Sequence, residues 1–330
     1  MTRQPRRMER RTPVWDPPDS IIELFPDVSG NTLNGVGETS PRRVAAPMWR
    51  NPAEIAHGRV QDHITAAYTE HPVLSKGMRA GGRFKPAPLA TEQTRHEPDE
   101  WSKKIKDFVS AAEFPASKVA IIGFRQEWAF DGSDVDYEWL ILLADVMEYE
   151  TLSTAPQWQA AGEVHRSYNR GTTMARDLAD WILSQGYAAV GHGGPGAGPV
   201  LLIPPAIEAG LGELGKHGSL IDEHMGSGFR LSAVLTDLPL VADAAPKRFF
   251  VDTFCEGCRV CTDACPPDAI GPDKKLVRGV TKWSVDFDRC LPFFAVSYGC
   301  GACIAVCPWT KPDAAPRLAE IMRRKHGGGD

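Results

Sequence analysis

Residues 289–309 read RCLPFFAVSYGCGACIAVCPW, and the spacing of their four cysteines decides the fold of this part of the chain. The stretch ends in a tight C-x2-C-x3-C-P run, but Cys290 stands ten positions ahead of Cys300, where that run begins. An earlier stretch, CEGCRVCTDACP at 255–266, has unbroken C-x2-C-x2-C-x3-C-P spacing. Two such runs are typical of a ferredoxin-like module with two iron–sulfur clusters.

The short spacings let three thiolates of one run converge on one cubane, while the last cysteine of that run points to the other cluster. We therefore predict two 4Fe-4S clusters with crossed ligands. The first set is Cys255, Cys258, Cys261 and Cys307. The second set is Cys265, Cys290, Cys300 and Cys303.

All eight cysteines lie between residues 255 and 307. In a reducing compartment, an even number packed into so short a segment indicates metal ligation before disulfides. Two zinc sites are one alternative, and clusters that only brace the fold are another. Zinc needs neither the crossover nor the proline after each final cysteine, so the spacing favours iron–sulfur clusters.

Bulk composition restricts the class of partner. The chain has 330 residues and a formal net charge of −5, so it is long enough for one large or two medium domains. The net charge argues against nucleic-acid binding, which needs a clustered basic excess. Small molecules and redox proteins are the expected partners, and composition leaves the oligomeric state open.

The first residues carry two arginine pairs, Arg6-Arg7 and Arg10-Arg11, as a twin-arginine export signal would. Such a signal continues into about 7–15 apolar residues. Here the sequence WDPPD follows at 15–19 instead. We therefore expect a loose basic N-terminus on a cytoplasmic protein. No window of the sequence approaches the ~18 apolar residues of a membrane span.

Composition and periodicity divide the chain into four parts. The first holds 12 of the 27 prolines and is expected to wrap over the rest, with a short helix at 52–68. Alternating helix and strand patterns then predict a mixed α/β domain. The predicted parts are a proline-rich arm (1–98), an α/β domain (99–245), the two-cluster module (246–312) and a C-terminal helix with a glycine tail (313–330).

Within the α/β domain, apolar periodicity predicts the individual elements. Trp101, Ile105, Phe108, Val109 and Ala112 share one helical face. The other predicted elements are strands at 118–124, 138–146 and 229–240 and a helix at 172–185 that ends at Gly186.

The motifs upstream of the cysteines resemble a known family. AIEAGLGELGKHGSLIDEHMGSGFRLSAVLTDLPL (206–240), EWLILLADVMEYETLSTAP (138–156) and SYNRGTTMARDLADWILSQGYAA (167–189) occur in the order found in corrinoid-dependent reductive dehalogenases. The likeness covers about residues 115–312 and extends, less closely, to the epoxyqueuosine reductases. It implies an α+β protein with a nitroreductase-like mixed α/β corrinoid-binding domain and a bacterial-ferredoxin-like module.

The same resemblance implies the chemistry and the cofactor. A cobalamin reduced through the two clusters would remove halide from a small organohalide, and the product carbon would take up a proton. Tyr168 matches the family's proton-donating tyrosine, and Arg230 matches the basic residue beside it. Because a nearby guanidinium stabilises a phenolate, such a pair makes the phenol a better acid. Taken alone, the tyrosine is more often a packing residue and the arginine a surface residue.

Glycines and one histidine are the predicted corrinoid contacts. The loop GHGGPGAGP (191–199) lacks both common phosphate-binding glycine patterns and is expected to form a pocket wall. His192 is expected to hydrogen-bond the corrin or the substrate rather than to ligate cobalt. The predicted glycine contacts are Gly194, Gly210, Gly212, Gly215 and Gly218, the last four on a helix and the turn that follows it.

Two other functions remain open from the sequence. One is an epoxyqueuosine-reductase-like enzyme acting on tRNA, although Thr172 and Thr173 stand where that family's Arg and Asp of its GRDYH stretch would lie. The other is a non-catalytic electron carrier that has lost the corrinoid. In either enzyme an external low-potential donor, a ferredoxin, flavodoxin or flavoprotein reductase, would supply the electrons.

The segment between Cys290 and Cys300, which we call the long spacer, is apolar and aromatic. Phe293, Phe294 and Tyr298 in this stretch suit a chain that leaves the cluster, passes along the catalytic domain and returns. The second set is therefore expected to lie nearer the corrinoid than the first.

Overall fold

The computed structural model describes residues 14–78, 85–113, 117–194, 198–244 and 248–327. Its helices are α1 (Asp19–Ile22), α2 (Gly30–Leu33), α3 (Gly58–Glu70), α4 (Leu74–Met78), α5 (Pro98–Ala111), α6 (Tyr149–Leu152), α7 (Trp158–Ser184), α8 (Ile203–Glu208), α9 (Val251–Gly257), α10 (Val260–Ala264), α11 (Phe287–Val296), α12 (Ala302–Ala305) and α13 (Ala314–His326). Its strands are β1 (Lys118–Gly123), β2 (Trp139–Val146), β3 (Ala189–His192), β4 (Glu213–Leu214), β5 (Leu220–Ile221), β6 (Phe229–Thr236), β7 (Lys275–Val277) and β8 (Val280–Lys282).

A four-stranded sheet in the order β1-β2-β6-β3 organises the α/β domain, and all its neighbours are antiparallel. The apolar run of β2 is buried on both faces, since it lies between β1 and β6 and is covered above and below. The three long strands predicted for the α/β domain are confirmed as β1, β2 and β6, although β6 ends at Thr236 and not at residue 240. The mixed α/β fold class is thereby confirmed.

Helices α5 and α7 cover one face of this sheet. Trp101 and Ile105 of α5 meet Leu178 and Ile182 of α7 in one buried cluster. The prediction that the second helix begins at residue 172 is wrong, because α7 begins at Trp158.

The first half of α7 was missed because its inner face is polar. Ser167 bonds Asp145 of β2, and Arg170 forms ion pairs with Asp145 at 2.8 Å and Glu163 at 3.4 Å. These internal partners satisfy polar groups that apolar periodicity counts as solvent-facing. Tyr168 is consequently a mid-helix residue and does not precede a helix.

The N-terminal segment lies against the cysteine module. Asp288, at the start of α11, accepts a hydrogen bond from the Gly30 N–H at 2.6 Å and another from the Ser29 hydroxyl. The Asn31 amide reaches Asp286 at 2.8 Å. Further along the chain, α3 packs beside α11. The Ala90 N–H donates a hydrogen bond to the carbonyl of Leu183 at the end of α7. The described residues between 14 and 98 therefore contact both the cysteine module and the α/β domain.

One carboxylate joins the α/β domain to the cysteine module. Glu213 of β4 accepts backbone N–H bonds from Phe249 at 2.6 Å and from Val251, the first residue of α9, at 2.9 Å. Helix α13 packs behind the same region in a cluster with Trp309, Cys255 and Cys307. Two cysteines of the first set therefore share a core with Ile221 of β5 and with α13.

The prediction that the four glycines lie on a helix and the turn that follows it is wrong for the helix, because none of the four is helical. Helix α8 ends at Glu208, and the glycines lie in the turn beyond it and along the β4–β5 hairpin. Gly210, Gly212 and Gly218 have φ of 81°, 143° and 77°, values that side chains rarely adopt. An added Cβ at Gly212 would stand 2.5 Å from the backbone of Ile221.

None of the described helices combines the length and apolar character that a membrane crossing demands.

Candidate active site

The first set of cysteines comes together from both ends of the module. Cys255 lies on α9 and Cys261 on α10. Cys307 lies directly before the 3-10 turn at Pro308–Thr310. Burial, with a further contribution from the neighbouring thiols of Cys255, Cys261 and Cys258, raises the pKa of the Cys307 thiol to about 12. Cys307 thus lies beside three cysteines that precede it by more than forty positions in the sequence.

The second set comes together in the same crossed manner. Burial raises the pKa of Cys290 to about 12, with added repulsion from Cys300 and Cys265. Burial also raises the pKa of Cys303, and its interacting thiols include those of Cys290, Cys300 and Cys265. Each set therefore contains the final cysteine of the other run, as a crossed pair of clusters needs.

All eight thiols are free, and none forms a disulfide. Within the described ranges, no three His, Cys, Asp or Glu side chains meet closely enough to hold a single metal ion. A cubane does not need that arrangement, because each thiolate binds a different iron of the cage. Grouped free thiols, four of them buried and four half-buried, fit 4Fe-4S clusters.

A cavity of about 670 Å³ adjoins the second set. Cys265, Cys290, Cys300 and Cys303 all line it, and Arg230 faces it from β6. No cysteine of the first set appears among its described lining residues. We call this space the main cavity; its volume falls within the roughly 300–1,000 Å³ of cofactor and ligand sites.

Arg230 separates the main cavity from a second cavity of about 210 Å³. Tyr168 and Gly194 line this second cavity, and Arg230 lines both. The guanidinium carbon of Arg230 lies 5.5 Å from the centre of the Tyr168 ring, a cation–π contact. The Nε of Arg230 is buried and has no hydrogen-bond partner within the described residues. This donor is therefore available to an acceptor on a bound molecule.

Two aromatic residues that the sequence analysis missed lie beside this pair. Burial raises the pKa of Tyr68 well above its usual value, Tyr168 raises it further, and Arg230 opposes the shift. The ring of His165 lies 4.5 Å from that of Tyr68, and burial and then Arg230 lower the pKa of His165. His165 precedes Tyr168 by three positions, so helical spacing was an available signal for it.

The long spacer between Cys290 and Cys300 forms part of a helix and then a tight turn. Cys290 lies on α11, which runs on to Val296. Positive φ at Tyr298, Gly299 and Cys300 then reverses the chain toward the second set. The Tyr68 hydroxyl donates to the Tyr298 carbonyl within this turn.

The aromatic residues of the long spacer lie at the main cavity and beside α7. Phe293 and Phe294 line the cavity, and Phe293 also makes an edge-to-face contact with Trp15, with ring centres 5.1 Å apart. Phe294 and Tyr298 pack in a cluster that includes Ala161 of α7. The stretch therefore passes along the α/β domain.

The predicted corrinoid contacts do not all lie together. Gly194 lines the second cavity and Gly218 the main cavity, whereas Gly210 and Gly212 line a separate groove of about 330 Å³. Protein neighbours alone crowd Gly215, where an added Cβ would stand 2.8 Å from the His217 ring. Their contact with a corrinoid stays a prediction.

His192 ends β3 and packs against Gly198, where an added Cβ would lie 2.3 Å from the His192 Nδ1. Burial lowers the pKa of His192. It lines neither cavity among the described residues, and residues 195–197 of the glycine-rich loop lie outside them. Its predicted hydrogen bond to a corrin or substrate stays a prediction.

His217 is a further residue that sequence reasoning did not identify. It lines the main cavity, and burial lowers its pKa to about 4. Its Nδ1 accepts the Ser219 N–H at 3.2 Å, so the neutral ring carries its proton on Nε2. That buried Nε2 has no partner within the described residues.

Comparison with known proteins supports both halves of this architecture. The family model for a 4Fe-4S dicluster domain matches residues 254–311. A tetrachloroethene reductive dehalogenase of Desulfitobacterium hafniense is 35% identical over 177 residues, which are 50% of this chain and 31% of that protein. An epoxyqueuosine reductase of Aliivibrio fischeri is 33% identical over 147 residues, or 39% and 36% of the two chains.

A solved structure of a catabolic reductive dehalogenase has a TM-score of 0.72 and covers 91% of this chain and 47% of its own, at 23% identity. This likeness confirms the fold, and the sequence matches confirm the resemblance to reductive dehalogenases and to the more distant epoxyqueuosine reductases. The chain spans less than half the length of these proteins.

Proposed function

We propose that this chain is an oxidoreductase that removes halide from a small organohalide, using a corrinoid and two 4Fe-4S clusters. The overall reaction adds two electrons and one proton to the substrate and replaces a carbon–halogen bond with a carbon–hydrogen bond, so that halide leaves. The main cavity carries this proposal, because it brings Arg230 and the second set of cysteines to one space.

The residues of the main cavity fit a corrinoid. Its lining is largely apolar and aromatic, with Met48, Trp49 and Phe294 among its residues. Its unpartnered buried donors, the Nε of Arg230 and the Nε2 of His217, suit the amide and phosphate oxygens of such a cofactor. When bound, the corrinoid supplies electrons to the carbon–halogen bond.

Tyr168 and Arg230 are the proposed catalytic pair. Tyr168 donates its phenolic proton to the carbon from which halide leaves. Arg230, over the ring of that tyrosine, stabilises the negative charge left on the phenolate. The free donor of Arg230 also suits a departing halide or a carboxylate or phenolate oxygen of the substrate.

Electrons are proposed to enter from an external low-potential carrier, a ferredoxin, flavodoxin or flavoprotein reductase. They would pass from the first set of cysteines to the second, since the second set lines the main cavity. We further propose a cytoplasmic location and no nucleic-acid partner, in keeping with the net charge of −5.

A turnover assay tests the proposal. The protein is reconstituted anaerobically with iron, sulfide and cobalamin, and then given a low-potential donor and a set of halogenated phenols and alkenes. We expect halide release that depends on cobalamin and on Tyr168. Cobalamin-loaded protein that releases no halide from any of these substrates would contradict the dehalogenase assignment.

The epoxyqueuosine alternative rests on the second group of relatives. Where we expect the Arg and Asp of that family, this chain has Thr172 and Thr173, and the Thr172 hydroxyl donates to the Tyr168 carbonyl at 2.6 Å. Turnover of an epoxyqueuosine-containing tRNA stem loop in the same assay would favour that alternative.

A further inference from the structure

Lys216 is a buried cation that contacts the first set of cysteines. It lies on the turn between β4 and β5, and its residue is only 2% exposed. Its backbone N–H donates to the Sγ of Cys255 at 3.5 Å, and its ammonium donates to the carbonyl of Cys258 at 2.8 Å. The ammonium also lies 4.6 Å from the centre of the Trp283 ring. The two hydrogen bonds place this lysine beside Cys255 and Cys258 of the proposed first cluster.

The ammonium forms no ion pair with a carboxylate in the described part of the chain; its recorded contacts are a carbonyl and an indole. Acids on the neighbouring segments are engaged elsewhere. Asp252 pairs with Lys274 at 2.7 Å, and Glu213 accepts the N–H groups at the start of α9. A buried charge is costly unless an opposite charge compensates it. The thiolate-bound core of a 4Fe-4S cluster is anionic and would supply that compensation.

The second set has a different electrostatic environment. The charged side chain that acts on Cys290 is the acid Asp286, which caps α11. Cys265 receives a backbone N–H bond from Ala269 at 3.3 Å, so both sets have hydrogen bonds to sulfur. The acid Asp252 also acts on Cys255 of the first set, but it is paired with Lys274. The two sets therefore differ in that the buried cation Lys216 contacts the first, whereas the acid Asp286 acts on the second.

We propose that Lys216 is the counter-charge of the first cluster and raises its reduction potential above that of the second. A nearby cation stabilises the reduced core, which carries one more negative charge, and cluster potentials respond to charge and to hydrogen bonds at sulfur. The first electron from the external donor then resides on the first cluster, away from the main cavity. The inference rests on the two clusters of the proposed function.

This order of filling has a use in a two-electron reaction. One electron is stored on the first cluster while the second cluster, at the cavity wall, stays oxidised. When a second electron arrives, both clusters are reduced and two electrons are available at the cavity. Lys216 is thus a positioning residue for charge and does not touch the reacting atoms.

Two variants separate the charge from the hydrogen bond. Lys216→Met removes the ammonium but keeps the backbone N–H that donates to Cys255, while Lys216→Arg keeps the charge. Each protein is reconstituted with iron and sulfide, without cobalamin, and titrated with EPR detection of reduced clusters. We expect two one-electron waves in the unmodified protein, and Lys216→Met should shift only the higher wave to more negative potential. Lys216→Arg should leave that wave close to its original position.

Asp286→Asn provides a matched control, because it removes a charge beside the second set. It should shift only the lower wave, toward more positive potential. If Lys216→Met assembles poorly, Lys216→Gln, which still offers a donor to the Cys258 carbonyl, takes its place and the same shift is expected.

Three results would overturn the inference: coincident waves in the unmodified protein, a Lys216→Met variant whose waves do not move, or one in which both move equally. Iron analysis keeps this distinct from the proposed function. Protein that binds no iron contradicts the clusters themselves, whereas about eight irons per chain with unmoved waves contradicts only the role of Lys216.

Discussion

The Tyr68 hydroxyl of α3 donates a hydrogen bond to the backbone carbonyl of Tyr298, two residues before Cys300. This bond joins the N-terminal segment to the turn that carries a proposed ligand of the second cluster. The Tyr68 ring also touches His165, which lies on the same helix as Tyr168. One side chain therefore links the cluster turn to the proposed catalytic helix.

Tyr68→Phe removes this bond and keeps the ring. We expect a loss of about 1 kcal/mol in the free energy of unfolding, since a typical net hydrogen bond contributes that much. We also expect faster iron loss from the second set when a chelator is added. Tyr187→Phe is the control, because its hydroxyl bonds the Thr94 carbonyl on the other side of the domain. Equal iron loss in both variants would contradict the link.

Tyr168→Phe removes the proposed proton donor without altering the ring. Loss of a positioned general acid lowers rates by about 10²–10⁴-fold, so halide release should fall by that factor. Iron and cobalt contents should match those of the unmodified protein. A variant with full activity would remove Tyr168 from the mechanism.

Arg230→Gln tests the cation above the Tyr168 ring. We expect kcat/KM for halide release to drop by about 10²-fold or more, as loss of a preorganised charge at a reacting group does. Arg230→Lys should retain more activity because it keeps the positive charge. If both variants lost the same activity, the guanidinium shape, and not its charge, would be what the site needs.

The crossed ligand sets are tested by single cysteine changes. Cys258→Ser and Cys307→Ser should abolish the same EPR signal, although 49 positions separate them in the sequence. Cys265→Ser and Cys290→Ser, each made alone, should both abolish the other signal. If Cys307→Ser and Cys300→Ser abolished the same signal, each cluster would be bound by the cysteines of one run, and the crossed assignment would be contradicted.

His217 predicts a dependence of stability on pH. Burial lowers its pKa from 6.5 to about 4, so the unfolded chain binds a proton between these values that the folded chain does not. The stability it contributes is complete above pH 6.5 and is lost as pH falls toward 4. Between pH 6.5 and 5 this loss is roughly 2 kcal/mol.

Denaturant unfolding under anaerobic conditions at the two pH values measures this loss. His217→Asn, which keeps an acceptor for the Ser219 N–H, should flatten the pH dependence. His224→Asn is the control, since the side chain of His224 is 69% exposed. An unchanged pH profile in His217→Asn would contradict the assignment.

The elements that sequence predicted well are those with a strong apolar signal. The central strand WLILLADV and the helix bearing Trp101 were predicted closely because their buried faces are continuous in sequence. Cysteine spacing also predicts the crossed ligand sets, because it reflects the geometry of the cubane, and that assignment stays a prediction for the cysteine variants to test.

What the sequence did not reveal depends on contacts between distant segments. The start of α7 is stabilised by Asp145 from another strand, which local periodicity does not register. Tyr68 comes from the proline-rich segment and reaches the site only through folding. Lys216 and His217 gain their character from burial, and burial of a polar residue is not visible in its own sequence window.

Metal analysis after anaerobic reconstitution tests the central claim most directly. The protein is loaded with iron, sulfide and cobalamin, freed of unbound cofactor, and analysed for iron and cobalt per chain. The account predicts about eight irons and about one cobalt, with cobalt uptake reduced in Arg230→Gln. About eight irons with no cobalt would contradict the corrinoid site and leave the chain as an electron carrier.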